Sequence, residues 1–317
     1  MWGVPIVVYL WLAGMAGGIY FAAFVADCLT LGGKSSLTRL AVYIATIFLI
    51  PGLILVIMDL GHPIYFWKML LRFRVMSPMS MGVWILLLFL VLSVIMGVFW
   101  RIEYFVSKQT VQKLHWISTF FTWIGLVFSI LIMVYCGVIL ATSNRPLWAG
   151  LVILPPLFAA SATSTGMSML ISLAMLANTV CRSGSAKVKL AMNRLLGSTD
   201  WIVPSRTISS LTKANTLVIL VEAIVLVSYV IQLSVSTMAG KREALMLLIA
   251  GEQAAPFWLG MVVIALIVPL WLGVANWNKE IDAKGMRHSI IAFLACVVLG
   301  GLIMRWVIVL GGQHYCI

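Results

Sequence analysis

Charged residues are scarce in this sequence. Only 9% of its 317 residues are Asp, Glu, Lys or Arg, whereas 63% are hydrophobic. A soluble domain carries about 25% charged residues, so this composition excludes a soluble enzyme, a disordered chain and a secreted disulfide scaffold. Many of the apolar runs reach the roughly 20 residues that cross a bilayer as a helix. The composition therefore predicts a membrane protein.

Acidic residues are scarcer still: there are 9 Asp and Glu against 21 Lys and Arg, for a net charge of +12. The basic residues stand between the apolar runs, where they anchor helix ends and orient the chain. The positive charge therefore indicates membrane topology and not nucleic-acid binding. Because no basic segment precedes the first apolar run, we expect that run to be a retained helix rather than a cleaved signal peptide.

Clustered metal ligands are also missing. The 5 cysteines form no Cys-x-x-Cys pair, whereas iron–sulfur clusters and structural zinc sites need several thiolates at short spacing. The 4 histidines stand near the predicted ends of apolar runs, and haem in a membrane bundle needs imidazoles that project from within the helices. We therefore expect this chain to bind no metal, no iron–sulfur cluster and no haem.

The apolar runs predict an all-α integral membrane protein with eight transmembrane helices. Their approximate bounds are 4–28, 40–60, 79–100, 117–141, 149–180, 214–237, 255–276 and 288–310. The connections after the first, third, fifth and seventh runs hold 14 of the 21 Lys and Arg residues, so the positive-inside rule places both termini outside the cytoplasm. We predict a single domain, 1–317, whose halves 1–181 and 214–317 are joined by a basic cytoplasmic loop, 182–213.

Polar residues inside the predicted spans are candidates for function, because burying them in lipid is costly. At a rise of about 1.5 Å per residue, Asp59, Tyr135 and Arg305 lie roughly 26–28 Å above the inner ends of their helices. Tyr9 falls in the same outer third of the membrane, and His62 stands at its rim. The depths therefore predict that these side chains converge near the outer surface.

A quinone site would explain this set. Its carbonyl oxygens need hydrogen-bond donors, which Tyr9, Tyr135 and His62 supply, and a quinol needs a proton acceptor, which Asp59 or His62 supplies. Two structural alternatives stay open: the tyrosines belong to the ordinary aromatic belt, and Asp59 and Arg305 form an ion pair between helices.

Glu222 is predicted to lie apart from this set. Counted from a helix start near residue 214, it is roughly 13 Å from the inner end, too far from Arg305 to pair with it. It serves either a proton relay from the cytoplasm or a hydrogen bond that joins two helices.

The segment from Ile64 to Arg74 reads as an amphipathic stretch on the outer side. It is either a membrane anchor or a docking surface for a partner. A second pattern, Ser-x-x-Ser-x-Gly, occurs at Ser77–Gly82 and again at Ser161–Gly166, and hints at a duplicated helix pair.

The chain resembles the NrfD/PsrC family, the membrane subunits of respiratory complexes such as nitrite and polysulfide reductases. The likeness covers essentially the whole chain and rests on an ordered set of short stretches. These are Pro5–Gly14, Asp59–Pro63, Phe66–Lys68, Ser77–Gly82, Tyr135–Gly137, Arg145–Trp148, Glu222, Phe257-Trp258, Pro269, Arg305 and Gly312-Gln313.

This resemblance implies two four-helix bundles, a menaquinone or ubiquinone site near the outer face, and a bacterial or archaeal cytoplasmic membrane. It also implies an extracytoplasmic ferredoxin-like iron–sulfur subunit, and a catalytic subunit that is a molybdopterin enzyme or a multihaem cytochrome. Tyr135 matches the family tyrosine associated with quinone binding. Tyr9 stands where polysulfide reductase has a histidine, and the Asp59–Pro63 stretch, with Gly61, matches the segment beside the quinone.

The resulting prediction is a quinone-reactive subunit of a respiratory oxidoreductase, with proton transfer by Asp59, Glu222 and Arg305. A secondary transporter and a purely structural anchor are the alternatives; the peripheral polar set counts against a transporter, whose site lies near the midplane. The terminal substrate stays open among nitrite, polysulfide, thiosulfate, tetrathionate, arsenate and formate.

Overall fold

A computed structural model describes residues 3–30, 36–59, 62–71, 74, 77–105, 108–143, 145–183, 203–236, 239–277 and 287–313. These residues form helices and turns, and no β-strand occurs among them. The helices are α1 (Val4–Thr30), α2 (Ser36–Asp59), a 3-10 turn (Pro63–Tyr65), α3 (Phe66–Leu71), α4 (Pro78–Phe105), α5 (Lys108–Ala141), α6 (Leu154–Ser183), α7 (Ser205–Val235), α8 (Ala239–Ala250), a π-helix (Pro256–Ile267) that continues as α9 (Val268–Ala275), and α10 (Arg287–Gly311).

Eight of these helices are long and apolar enough to cross a membrane. They are α1, α2, α4, α5, α6, α7, the joined π-helix and α9, and α10. The predicted fold class, all-α with eight membrane helices, is confirmed. The outward orientation of the termini stays a prediction, so the side of the membrane that carries Val4 is called the N-terminal side below.

The start of the sixth span was predicted too late. Pro204 has an extended conformation (φ −59°, ψ 144°) and α7 begins at Ser205, whereas hydropathy suggested a start near residue 214. The first turns of α7 contain Arg206 and Lys213 and therefore do not stand out as apolar. The predicted loop 182–213 is thus shorter at both ends, since α6 also continues to Ser183; residues 184–202 lie outside the described part of the chain.

The membrane helices pack as two rings of four. In the first bundle α1, α2, α4 and α5 contact one another in a closed cycle, and in the second bundle α6, α7, α9 with its π-helix, and α10 do the same. Helix α1 also packs against α6 and α10, so α1 and α6 form the wall between the bundles. The division falls between α5 and α6, one helix earlier than the predicted halves 1–181 and 214–317.

Glycines allow the close approach of α1 and α6. A Cβ on Gly18 would overlap the carbonyl group of Ala162, and a Cβ on Gly166 would overlap the backbone of Gly18. Small residues at a helix contact let two membrane backbones pack directly. Gly166, the glycine of the second Ser-x-x-Ser-x-Gly pattern, therefore allows the two bundles to pack closely against each other.

Asp27, near the C-terminal end of α1, forms hydrogen bonds with the first turn of α2. Its Oδ1 accepts a hydrogen bond from Leu37 N at 3.1 Å, and its Oδ2 accepts from both Thr38 N and Thr38 Oγ at 2.7 Å. The first amides of a helix have no partner within it, so this buried carboxylate caps α2. The α1–α2 pair is thereby held together on the side opposite to Val4.

Candidate functional site

A cavity of about 180 Å³ lies inside the first bundle, close to the N-terminal side. Helices α1, α2, α4 and α5 all contribute to its wall, and Phe66 of α3 reaches it from the connection. Most of its lining is aliphatic, as with Leu53 on α2 and Val83 on α4. Apolar walls of this kind suit a hydrophobic ring or chain.

Two tyrosines supply the hydroxyl groups of this cavity. Tyr9 from α1 and Tyr135 from α5 both line it, they are 5% and 7% exposed, and a side-chain hydrogen bond joins them. Among the residues that form the described wall, no other carries a hydroxyl. The predicted convergence of Tyr9 and Tyr135 is therefore present in the structure.

Gly82 makes room for Tyr135. A Cβ at this position would overlap the ring and the hydroxyl of Tyr135, so the tyrosine ring lies directly against the α4 backbone. The glycine of the first Ser-x-x-Ser-x-Gly pattern thus positions a cavity residue, whereas Gly166 of the second pattern joins two helices. Gly82 is not among the predicted site residues; the Ser-x-x-Ser-x-Gly pattern is the sequence feature that could have identified it.

The cavity is not sealed from the membrane. Its α2 residues Val56 and Ile57 and its α4 residue Leu87 are only half-buried, and Phe66 and Met79 are 41% and 52% exposed. These side chains place the opening between α2 and α4 and beneath α3. An apolar molecule can therefore enter from the lipid and reach the two tyrosines.

Asp59 does not line the cavity. It is the last residue of α2 and is exposed, and its Oδ1 lies 3.5 Å from the point where a Cβ on Gly3 would stand. Asp59 follows the lining residues Val56 and Ile57 along α2. It therefore stands at the N-terminal side, outside the cavity wall and within one turn of Ile57.

His62 is likewise exposed and outside the cavity wall. It precedes the 3-10 turn, and its ring stands 6.2 Å from the ring of Tyr65. It lies four residues before Phe66, which does line the cavity. Gly61, predicted to lie beside a quinone, falls outside the described residues.

Arg305 is fully buried between α1, α6 and α10. Its Nε donates to Leu10 O at 3.2 Å, and its Nη1 donates to Gly301 O at 2.8 Å and to Ser161 Oγ at 3.3 Å. The structural alternative of an ion pair between Asp59 and Arg305 is therefore wrong. Asp59 lies at the far end of α2, and the guanidinium is held by the second bundle and the wall helix.

Glu222 is part of the same cluster. Ser164 Oγ donates to Glu222 Oε2 at 2.7 Å, and a second side-chain hydrogen bond joins Glu222 to Ser161. Ser161 therefore links the carboxylate to Arg305. The prediction that Glu222 and Arg305 lie at different depths is wrong, because Glu222 is 17 residues beyond Ser205, about 26 Å along α7.

The two sites meet at α1. Leu10 O accepts from Arg305 Nε at 3.2 Å and from Cys136 Sγ at 3.8 Å, while Tyr9, the preceding residue, lines the cavity. The polar cluster and the cavity are thus neighbours, separated by one helix. Ser161 and Ser164 had not been predicted as site residues.

No group of three or more His, Cys, Asp or Glu side chains that could hold a metal ion occurs within the described part of the chain. Of the four histidines, only His62 and His288 have side chains that are described, and both are exposed. The expected absence of metal and haem stays a prediction.

Comparison with known proteins places this architecture in a family. The model of the family "Polysulphide reductase, NrfD" matches residues 1–202 and 182–316. The C component of the polysulfide reductase of Wolinella succinogenes is 27% identical, over 99% of this chain and 95% of that protein. Protein NrfD of Escherichia coli is 24% identical over 99% and 95% of the two proteins, and the C component of the selenate reductase of Mesobacillus selenatarsenatis is 29% identical over 29% and 22%. Since the match extends over the whole set of membrane helices, the chain belongs to the NrfD polysulphide reductase family.

Proposed function

We propose that this chain is the quinone-binding subunit of a membrane reductase complex, and that the quinone ring occupies the cavity in the first bundle. One observation carries the proposal: an apolar cavity that opens between α2 and α4 has two tyrosine hydroxyls in its wall. Membrane quinones combine an apolar ring and tail with two carbonyl oxygens. The apolar wall of this cavity suits the ring and tail, and its tyrosine hydroxyls suit the carbonyl oxygens.

The residues present fit such a ring. The 180 Å³ of the cavity exceeds the about 150 Å³ of an engineered cavity that takes up benzene. Because one of the two tyrosine hydroxyls donates to the other, one O–H of the pair is left to donate to a ring carbonyl, and a tyrosine donor in an apolar wall fixes the orientation of a bound ring. The half-buried Val56 and Leu87 leave the tail a path to the lipid.

A bound quinol supplies two electrons and two protons. Asp59 and His62 stand exposed at the N-terminal side, within one turn of the cavity residues Ile57 and Phe66. A carboxylate and an imidazole are the usual proton acceptors at such a position. We therefore propose that they take up the protons and pass them to the water on that side.

The Glu222 cluster is the second part of the proton-transfer proposal. Below Glu222 the α6–α7 contact stays polar, since Asn215 Nδ2 donates to Ser168 Oγ at 2.7 Å in a buried position. Together with the Ser164 and Ser161 hydroxyls, these groups form a polar line along the two helices that leads to Arg305. Helix α1 separates this polar line from the cavity, so an experiment on the cavity tyrosines does not test the role of Glu222.

Relatives named as components of polysulfide and selenate reductases support a catalytic partner. We propose electron exchange with a ferredoxin-like iron–sulfur subunit on the N-terminal side, in a complex whose catalytic subunit is a molybdopterin enzyme or a multihaem cytochrome. The surface there exposes Ile64 and Trp67, and the Lys68 ammonium lies 4.0 Å from the ring centroid of Tyr65. We place the complex in a bacterial or archaeal cytoplasmic membrane.

The direct test compares two tyrosines of the first bundle. In the assembled complex, Tyr135→Phe removes a hydroxyl from the cavity. Tyr20→Phe removes an equally buried hydroxyl that donates to Thr122 O at 2.9 Å, away from the cavity. We expect Tyr135→Phe to lower quinol oxidation at least tenfold and Tyr20→Phe to leave it within twofold. Unchanged turnover in assembled Tyr135→Phe would show that the chain is an anchor without quinone chemistry.

Asp59→Asn tests the proton acceptor separately. The substitution keeps the shape of the side chain and removes its basicity, so quinol oxidation should fall while binding of a quinone analogue, followed by tryptophan fluorescence, stays within twofold. Loss of analogue binding would contradict the assignment, because Asp59 lies outside the cavity wall.

A further inference from the structure

We propose that a second ligand site, for the headgroup of an anionic phospholipid, lies in the second bundle on the N-terminal side. A cavity of about 500 Å³ that is widely open to the surface stands there, between the end of α7, the start of α8 and Leu151, which precedes α6. Its polar wall comes from Ser228, Gln232, Ser236 and Lys241. This cavity shares no residue with the one that contains Tyr9 and Tyr135, so the proposal is independent of the quinone site.

Lys241 supplies the charge. The side chain is only 9% exposed although it stands at the membrane edge, and it lines the cavity. No carboxylate of the described residues pairs with its ammonium group. A cation buried in this way is costly unless an anion accompanies it, and basic pockets between membrane helices are typical sites for phosphate headgroups.

Gln232 supplies an acceptor that has no donor. Its Oε1 is buried and makes no hydrogen bond with any described residue, while Ser228 Oγ donates to Ile224 O at 2.9 Å and keeps its own acceptor capacity. Buried polar atoms are nearly always satisfied. A ligand that carries both an anionic phosphate and a hydroxyl donor would satisfy Lys241 and Gln232 together, as the glycerol headgroup of phosphatidylglycerol does.

An apolar track leads away from this cavity along α7. Ile231 and Val235 line the cavity and are 55% and 72% exposed. Ile224 and Val227, at 59% and 57%, continue the same face at helical spacing. This surface faces lipid and can carry an acyl chain below the headgroup. The combination favours a phospholipid over a free phosphate ion.

The test measures lipid binding to the full-length protein in detergent by native mass spectrometry, with phosphatidylglycerol as the probe. We expect Lys241→Gln to weaken binding at least fivefold. Arg242→Gln is the matched control, because the adjacent cation is exposed and donates to Ser234 O; it should change binding by less than twofold. Lys241→Arg keeps the charge and should retain binding.

Other arms identify the source of the phosphate. Phosphatidylcholine should bind at least fivefold more weakly than phosphatidylglycerol, and millimolar inorganic phosphate should not displace the lipid. Displacement by inorganic phosphate would overturn the lipid assignment, as would equal losses in Lys241→Gln and Arg242→Gln. Gln232→Leu keeps the charge of Lys241 and should weaken the binding of phosphatidylglycerol more than that of phosphatidic acid, which lacks the headgroup glycerol and its hydroxyls. Equal effects on the two lipids would overturn the role of Gln232. If Lys241→Gln does not fold, equal effects would overturn the proposal itself.

Discussion

Tyr9 and Leu10 are neighbours on α1, and both line the apolar cavity of the first bundle. The Leu10 backbone also contacts the second bundle, because its carbonyl accepts a hydrogen bond from Arg305. Both bundles are rings of four helices. At this depth the first encloses space and a pair of hydroxyls, and the second encloses a buried cation, a carboxylate and the serines between them.

This difference separates binding from stability. An open cavity forfeits packing contacts between its walls, so side chains around it stabilise the fold less than those of a filled core. A buried Arg–Ser–Glu cluster has the opposite property, because removal of one member leaves another buried charge without its partner. Substitutions around the cavity of the first bundle should therefore affect quinone binding, and substitutions in the Arg305–Glu222 cluster should affect the free energy of unfolding.

The largest expected effect is that of Arg305→Met. The change keeps much of the side-chain volume but removes three hydrogen bonds and leaves Glu222 buried with its serines alone. We expect the free energy of unfolding to fall by about 3–5 kcal/mol, measured by thermal denaturation in detergent. Arg206→Met, at an exposed position, is the control.

A second substitution sharpens this prediction. Glu222→Gln in the Arg305→Met background removes the orphaned carboxylate, so the double variant should be more stable than Arg305→Met alone. If the two losses simply add, the side chains do not act as one cluster.

Gly82→Ala should have the next largest effect, on function and not on stability. Its methyl group would overlap the Tyr135 ring, so the ring must move into the cavity. We expect quinol oxidation to fall about 30-fold, which corresponds to about 2 kcal/mol, while the unfolding temperature changes little. Gly97→Ala on the same helix approaches Tyr43 at 3.2 Å, remote from the cavity, and should leave turnover unchanged.

The membrane helices could be predicted from sequence, because hydropathy marks long apolar runs. The tyrosine pair could be predicted because Tyr9 and Tyr135 lie close to the helix ends Val4 and Ala141, which hydropathy locates correctly. Depth counted from the opposite end failed for Glu222, because α7 begins at Ser205, in polar turns that hydropathy does not count. The error of nine residues displaced Glu222 by about 13 Å.

Contacts between distant helices could not be predicted in this way. Gly82 and Tyr135 are 53 residues apart, and Ser164 and Glu222 are 58 apart. Which helices become neighbours depends on the packing of both bundles around α1, and no short pattern in the chain records it. The repeated Ser-x-x-Ser-x-Gly pattern located the small residues but not their partners.

A smaller effect on binding is expected for Tyr9→Phe. It removes one of the two cavity hydroxyls and leaves the ring in place. We expect a roughly fivefold weaker affinity for a quinone analogue, since one hydrogen bond contributes about 1 kcal/mol. Fluorescence titration measures this affinity. A large loss of stability would contradict the comparison, because it would show that the Tyr9 hydroxyl stabilises the packing of α1 and does not serve ligand binding.

The smallest expected effect, Ser161→Ala, tests whether the hydroxyl that joins Arg305 to Glu222 is needed. Its loss removes the 3.3 Å bond from Arg305 Nη1 and the bond to Glu222. Leu10 and Gly301 still hold the guanidinium, and Ser164 still donates to the carboxylate. We therefore expect a decrease of about 1 kcal/mol in the free energy of unfolding and no change in the binding of a quinone analogue. Ser172→Ala, whose hydroxyl donates only to Ser168 O in its own helix, should cost less. A loss of analogue binding with Ser161→Ala would contradict the comparison, since it would make the polar cluster part of the quinone site across α1.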